Sequence, residues 1–228
     1  MPRFLSLQAS RLCWSSATAF DFKEYIFFCV LRKTNEKIGR CFVLEEEIVR
    51  HAAPTLARLK TASAFTYAYP SEHSLQEEII SLNQILQPKG VLVLPLRLYR
   101  SRALIYVFRP QMLFRDLLTP LTQRMLSAEG YITKDIEKCF LRLADRLADN
   151  DNFPHEIGFF LGYPPSDVRG FIINKAKNYK ALGLWKVYSD VESAKRTFSV
   201  YQSCSEWYLC RYRSGEDLAA LTLSEKKD

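Results

Sequence analysis

His155 and Glu156 form an adjacent pair in this 228-residue chain whose side-chain types could do acid–base chemistry. An imidazole changes charge near neutral pH, and a neighbouring carboxylate can orient it or exchange a proton with it. Pro154 in front of the pair suits a helix start, which would place His155 in a first turn whose free N–H groups favour an anion. On that reading His155 is a ligand contact or a general acid–base, with Glu156 or His51 orienting it. The plainer reading is a packed or capping histidine that holds Phe153 and Tyr163 in place. A second group is Lys175-Ala176-Lys177-Asn178-Tyr179-Lys180, followed by Trp185-Lys186. Cations interleaved with rings can hold a phosphate or carboxylate while an aromatic face stacks on a planar ligand. A solvated helix C-terminus has the same composition, because cations are favoured there. A third group, His51, Thr55, Lys60 and Ser63, surrounds a proline and could form a polar pocket or a capped junction beneath a sheet. Tyr163, Tyr179 and Trp185 cluster in sequence, which suggests one shared cleft with His155, Lys175, Lys186 and Lys60 as ligand contacts.

Several chemistries lack their residues. The chain contains no G-x-x-x-x-G-K-[ST], no G-x-G-x-x-G, no G-x-S-x-G and no H-E-x-x-H; the second histidine position of the last is Phe159. With only His51, His73 and His155 available, no metal site is expected, and no cofactor is implied. The six cysteines form no C-x-x-C pair, and Cys204 and Cys210 lie six apart, so reduced and mostly buried thiols are the expectation. The longest uncharged apolar run, residues 25–31, is far shorter than the ~20 residues of a spanning helix. The opening stretch lacks a signal-peptide pattern. These features together predict a cytoplasmic protein without a membrane span.

Charge narrows the partners. The formal net charge is +7, but residues 1–42 hold seven basic against three acidic groups, while 43–150 hold 14 against 12 and 151–228 hold 11 against 10. A nucleic-acid binder is expected to carry its basic excess on the folded body, so nucleic acid is an unlikely partner. Residues 1–42 read as an N-terminal extension, poorly integrated or translated from upstream of the true start. Residues 43–228 read as a single domain with a minor internal break near 148–153.

The elements that must position these groups follow from hydrophobic period and turn chemistry. Glu45, Glu46 and Glu47 open a helix that Pro54 is expected either to end near Ala52 or to follow as the first residue of a next short helix. Ser74-x-x-Glu77 reads as a capping box, and Pro88-Lys89-Gly90 as the stop of that helix. Residues 91–99 and 103–108 predict a hairpin turned by Arg100-Ser101-Arg102, with Pro95 confining the first strand to an edge or a bulge. Thr119-Pro120 and Thr133 predict two further helix starts, the second carrying Ile136, Cys139, Phe140, Leu143 and Leu147 on one face. Gly158 and Gly162 permit a close approach before Tyr163-Pro164-Pro165, a helix runs over 166–176, residues 182–188 read as a strand, and Asp190 caps a long helix. The sum is an α+β fold: a small antiparallel or mixed sheet, with the hairpin at 91–108 plus a strand near 183–188, flanked by several helices.

Four blocks also resemble a known family. His51-Ala52-Ala53-Pro54-Thr55-Leu56-Ala57-Arg58-Leu59-Lys60, the block from Phe153 to Pro164, Asp167-Val168-x-Gly170-Phe171-Ile172 and Gly183-Leu184-Trp185-Lys186-Val187-Tyr188 look in order and spacing like the uncharacterised bacterial family called domain of unknown function 3793, over about residues 43–204. The resemblance implies membership and a bacterial cytoplasmic setting, with no activity to carry over. Ala52 stands where that family commonly has a cysteine, and Thr61 follows Lys60 where proline is usual. The expected function is an accessory protein that binds a small anionic ligand or a protein partner without catalysis. The alternatives are an enzyme acting on an anionic metabolite through His155, with Glu156 and His51 as further catalytic candidates, and a weak nucleic-acid binder.

Overall fold

The structure, a computed structural model, describes residues 42–148 and 153–225. All but the last residue of the expected extension, and most of the expected break, lie outside the described residues. The chain enters through helix α1 (Phe42–Leu56), whose Ile48, Val49, Ala52, Ala53 and Leu56 are fully buried. Contrary to expectation, α1 does not stop at Ala52 but runs through Pro54. Proline cannot donate to the carbonyl four residues back, which costs one helix bond, but burial of the flanking apolar residues outweighs that loss.

A strand that hydropathy does not announce follows: β1 (Ala62–Ala68), built mainly from small residues around Phe65 and Tyr67. The predicted hairpin forms as β2 (Leu92–Tyr99) and β3 (Arg102–Phe108), with Arg100 in the left-handed region at the turn (φ 52°). β3 lies between β1 and β2, antiparallel to both, so β2 is an edge strand. The β2–β3 register shifts between Pro95 and Arg97, so Pro95 sits both at an edge and at an irregularity, where a missing N–H is tolerated.

Successive β3 residues face opposite sides. Tyr106 and Phe108 stack on each other at 5.0 Å and meet Phe140 edge-on at 5.7 and 5.1 Å. Phe140 belongs to α5 (Ile136–Ala148). Ile105 pairs with Phe65, which stacks on His51 of α1 at 5.1 Å, so the other sheet face is the one α1 covers. α2 (Glu72–Leu86) packs beside β2, and its Asn83 amide both donates to and accepts from the Val93 backbone. Ser71, not Ser74, caps α2: its hydroxyl accepts from the Ser74 N–H, which moves the helix start three residues earlier than predicted. α3 (Pro110–Leu117) and α4 (Pro120–Ala128) follow β3, each opened by proline. At α5 the cap is Asp135, which accepts from the Lys138 N–H, rather than Thr133.

The last third holds α6 (Ile157–Phe160), α7 (Pro165–Ile173), a two-stranded ribbon β4 (Ala181–Leu182) and β5 (Lys186–Val187), α8 (Val191–Arg213) and α9 (Leu218–Leu221). The stretch read as one strand is therefore a tight ribbon separate from the main sheet. Asp190 caps α8 as expected, accepting from the Ser193 N–H, and α8 lies along α1. The architecture is α+β. No helix among the described residues is long and apolar enough to cross a membrane.

Arg109, directly after β3, is 0% exposed. Its Nε donates to Thr55 O and its Nη2 to Leu56 O, both at 2.7 Å; Nη2 also donates to Leu223 O at 2.7 Å, and Nη1 to Lys89 O at 3.2 Å. One guanidinium thus binds the open end of α1, the turn after α2 and the C-terminal segment at Leu223. Burial and the nearby Arg58 lower its pKa to about 10, so it remains a cation at neutral pH. Replacing it removes hydrogen bonds from a charged donor, each worth roughly 1.5–3 kcal/mol, although Thr55 O and Leu56 O keep the Arg58 and Leu223 N–H groups. Arg109→Met is expected to lose at least ~3 kcal/mol in urea unfolding, and Arg109→Lys to recover only part, because an ammonium cannot span the same acceptors.

Candidate functional site

The residues from 153 to 189 build a cavity of about 300 Å³. Its foundation is a tight turn: the Ile157 N–H bonds Pro154 O at 3.1 Å and the Gly158 N–H bonds His155 O at 3.3 Å. A Cβ on Gly158 would lie 2.8 Å from Val168, so its absence lets α6 press against α7. Gly162, at φ 70°, turns the chain, and Pro164-Pro165 starts α7.

Asp167, in the first turn of α7, is 2% exposed and organises everything opposite. Its carboxylate accepts from Trp185 Nε1 (2.8 Å), Tyr188 N (2.9 Å), Ser189 N (2.8 Å) and Ser189 Oγ (2.7 Å). These bonds hold the ribbon across the helix. Gly170 permits the same contact, since a Cβ there would lie 2.5 Å from Tyr188. Burial alone would raise the Asp167 pKa, but the bonds from Ser189, Tyr188 and Trp185 favour the charged form and hold it below the ordinary value. Gly183 likewise leaves room for Phe198 of α8, which meets Trp185 edge-on at 4.5 Å.

Buried Ile157, Gly158 and Val168 line the cavity, together with half-buried Tyr163, Phe171 and Trp185 and exposed Phe153, Leu182 and Leu184. Tyr163 and Trp185 stack at 5.0 Å and 29°. The polar groups that reach it are few. Exposed His155 stands edge-on to Phe171 at 5.0 Å, and Lys186 sits over the rings of Tyr179 (5.0 Å) and Phe171 (5.7 Å) while donating to Ala176 O at 2.9 Å.

Of the residues singled out in sequence, His155, Tyr163 and Lys186 line this cavity, as does Trp185. Tyr179 reaches it only through Lys186, and Lys60 only through Tyr163, its Nζ lying 5.3 Å from that ring. Lys175 is exposed beyond the end of α7, in the left-handed region with Ala176 and Asn178, and does not line the cavity. His51 lies elsewhere on α1, 3.2 Å from Glu47 and stacked on Phe65. Thr55 and Ser63 bond each other through their hydroxyls at 3.1 Å in the buried α1–β1 junction.

Glu156 is turned the other way. It is 4% exposed, accepts from the Tyr131 hydroxyl at 2.9 Å and pairs with Arg146 at 2.8 Å, tying α6 to α5 and its preceding loop. Burial and the Glu156 charge raise the Tyr131 pKa far above its ordinary range. The helix-end argument for an anion at His155 also changes, because α6 is only four residues long and His155 precedes it in a turn. Among the described residues no grouping of His, Cys, Asp and Glu could hold a metal ion, and Cys139, Cys204 and Cys210 are free thiols. Burial raises the thiols of Cys139 and Cys204 to about 11, which makes them poor nucleophiles at neutral pH. Asp167, Phe153, Leu182, Leu184 and Phe198 were not marked by sequence as site residues. An acid behind Pro164-Pro165 was visible, but its partners lie 18 to 22 residues away.

A family model described as a protein of unknown function (DUF3793) matches residues 48–222. No curated protein and no solved structure matches the chain.

The Asp167 clasp carries a pH signature. Its folded pKa lies below the unfolded value of 3.8, so its stabilisation is complete above that value and disappears as pH falls through the lower folded one. Asp167→Asn places an amide where four donors converge and is expected to lose about 1–3 kcal/mol at neutral pH. Its urea midpoint should also fall less steeply than that of the parent chain below about pH 4.

Proposed function

Since the chain belongs to the DUF3793 family of proteins of unknown function, we propose its role from geometry: it binds a small anionic ligand with an apolar or planar body, without catalysis. The observation that carries this reading is the chemistry of the cavity wall. Most of it is aromatic and aliphatic, as ligand sites generally are, with a few convergent polar groups. The one lining carboxylate, Asp167, already accepts four hydrogen bonds, whereas the lining nitrogen groups of Lys186 and His155 keep capacity. Lys186 uses one donor on Ala176 O, and the His155 imidazole is solvent-accessible. A ligand ring would stack by Tyr163 and Trp185, and its acid group would turn towards His155 and Lys186. Tyr179 would support the Lys186 ammonium from its other side. Lys60 would act through Tyr163, and Lys175 through long-range charge.

An acid–base role for His155 would have to proceed without Glu156, which is engaged by Arg146 and Tyr131, and without His51. A second reading is favoured by one observation: Phe153, Leu182 and Leu184 are 54%, 66% and 55% exposed around the cavity. An apolar side chain of a protein partner would cover them. Nucleic-acid binding would draw on the basic excess of residues 1–42, almost all outside the described residues. The proposed setting, a bacterial cytoplasm, rests on the family and on the unpaired cysteine pattern.

Titration with phenylacetate, indole acetate and octanoate tests the reading. A carboxylate that binds should raise the Tm saturably and quench Trp185, with a stabilisation of ~2.7 kcal/mol at a hundredfold excess over Kd. His155→Ala should weaken binding roughly tenfold, the loss of one charge-assisted contact, and Leu184→Glu more. If no carboxylate gives a saturable shift, or if both variants bind as the parent does, the reading is wrong.

A further inference from the structure

The two faces of the main sheet end differently at the β2–β3 turn. Residues paired across strands share a face, and the faces alternate along each strand. On one face Phe65, Tyr67, Ala103 and Ile105 are all buried, and the Tyr67 hydroxyl donates to Glu78 of α2 at 3.0 Å. On the other, Tyr106 and Phe108 meet Phe140 of α5, but the face runs on past them towards the turn. There it consists of Thr66 and Ala68 of β1, Arg102 and Leu104 of β3, and Arg97 and Tyr99 of β2. Thr66, Ala68, Tyr99 and Arg102 are exposed, and Arg97 and Leu104 half-buried.

Arg97 and Tyr99 reach this side because of the irregularity in β2. Pro95 pairs with Ile105 and Arg97 with Leu104, so Leu96 is an extra residue that reverses the alternation beyond it. The Arg97 and Arg100 guanidiniums lie 5.6 and 5.2 Å from the centre of the Tyr99 ring. Pairing of Tyr99 with Arg102 leaves Arg100-Ser101 as a two-residue turn, and Arg100, its first residue, has φ 52°, where glycine is favoured. Tyr69 fixes that turn, its hydroxyl donating to Arg100 O and its N–H to Ser101 O, both at 3.1 Å. A cation kept where glycine would fit better indicates a use for the cation. Between Glu78 and Asp116 the sequence has no acidic residue, so the hairpin itself brings no carboxylate here. Glu72 approaches from the covered side, where burial and its charge raise the Tyr69 pKa.

We propose that this end of the sheet is a platform for single-stranded nucleic acid, with a base stacked on Tyr99 and the adjoining phosphates held by Arg100 and Arg102. A flat strand surface has no helix to enter a duplex groove. An exposed ring among guanidiniums gives an unpaired base a π-face and gives its phosphates charged donors. The near-balanced charge of the whole body averages over this local excess, which lies apart from the basic residues of the first 42. None of the cavity residues takes part, so the inference stands or falls separately from the carboxylate-binding reading.

The test is fluorescence anisotropy of a fluorescein-labelled single strand of about 12 nucleotides, as RNA and as DNA, titrated with the full chain. At least one should bind saturably and about tenfold tighter than the same sequence as a duplex. Its affinity should fall with salt at a log–log slope of about −2, as for roughly three phosphate contacts. Tyr99→Ala should weaken binding about tenfold and leave that slope unchanged, whereas Tyr99→Phe should bind as the parent does. Arg100→Gly combined with Arg102→Gln should weaken binding at least about tenfold and flatten the slope. The same double variant should keep the parent Tm, because glycine suits the turn. The proposal is overturned if neither strand binds saturably, if the duplex binds as tightly, or if the Tyr99→Ala and double-arginine variants bind as the parent does.

Discussion

One buried guanidinium holds the halves of this molecule in register. Arg109 sits where the central strand ends, and its donors reach the last carbonyls of α1, the turn after α2 and the backbone at Leu223. These segments are far apart in sequence, the last by 114 residues. A charged group is costly to bury alone, but here each arm finds a backbone carbonyl, and Thr55 O and Leu56 O accept from the guanidinium as well as from the Arg58 and Leu223 N–H groups. The cation and the helix end satisfy each other. Around this point α1, the sheet and the C-terminal segment share one apolar core.

The same economy recurs at the other joints. Glu156 meets Tyr131 and Arg146 where α6 approaches α5, Asp167 gathers four donors where the ribbon crosses α7, and Glu78 accepts from Tyr67 where α2 meets the sheet. Regular helices and strands satisfy their own backbone, so buried polar side chains are needed where they stop. The cavity is a consequence. Asp167 fixes the ribbon, the ribbon presents Trp185 and Leu184, and the glycines at 158, 170 and 183 let the surrounding segments close to contact distance. A carboxylate bonded in this way shapes a site with its oxygens turned to the ribbon.

Much of the fold was legible because its signals are local. The hairpin 91–108 followed from branched and aromatic runs around a short polar turn, and Pro95 announced its own edge and register shift. Asp190 marked the start of α8, and the apolar face of α5 was readable at helical spacing. The misses were also local in origin. Pro54 signals a helix end, but the neighbouring Ala52, Ala53 and Leu56 bury too much surface for the helix to stop. β1 has little hydropathic contrast, and its strand conformation comes from pairing with β3. Ser71 and Asp135 cap where Ser74 and Thr133 were expected, because a cap is chosen by backbone geometry among several competent side chains.

By itself the amino-acid order determined the class of fold, the family, the segment that lines the cavity, and the scarcity of catalytic signatures. It brought His155, Tyr163, Trp185 and Lys186 under suspicion together, since all four fall within about thirty residues. Only the tertiary structure decided that Glu156 faces Arg146, that His51 belongs to another surface, and that Asp167 is an organiser with no oxygen to spare. Direction is the reason. Residue type and spacing state what a side chain can do, but where it points is settled by packing between segments that the chain brings together late.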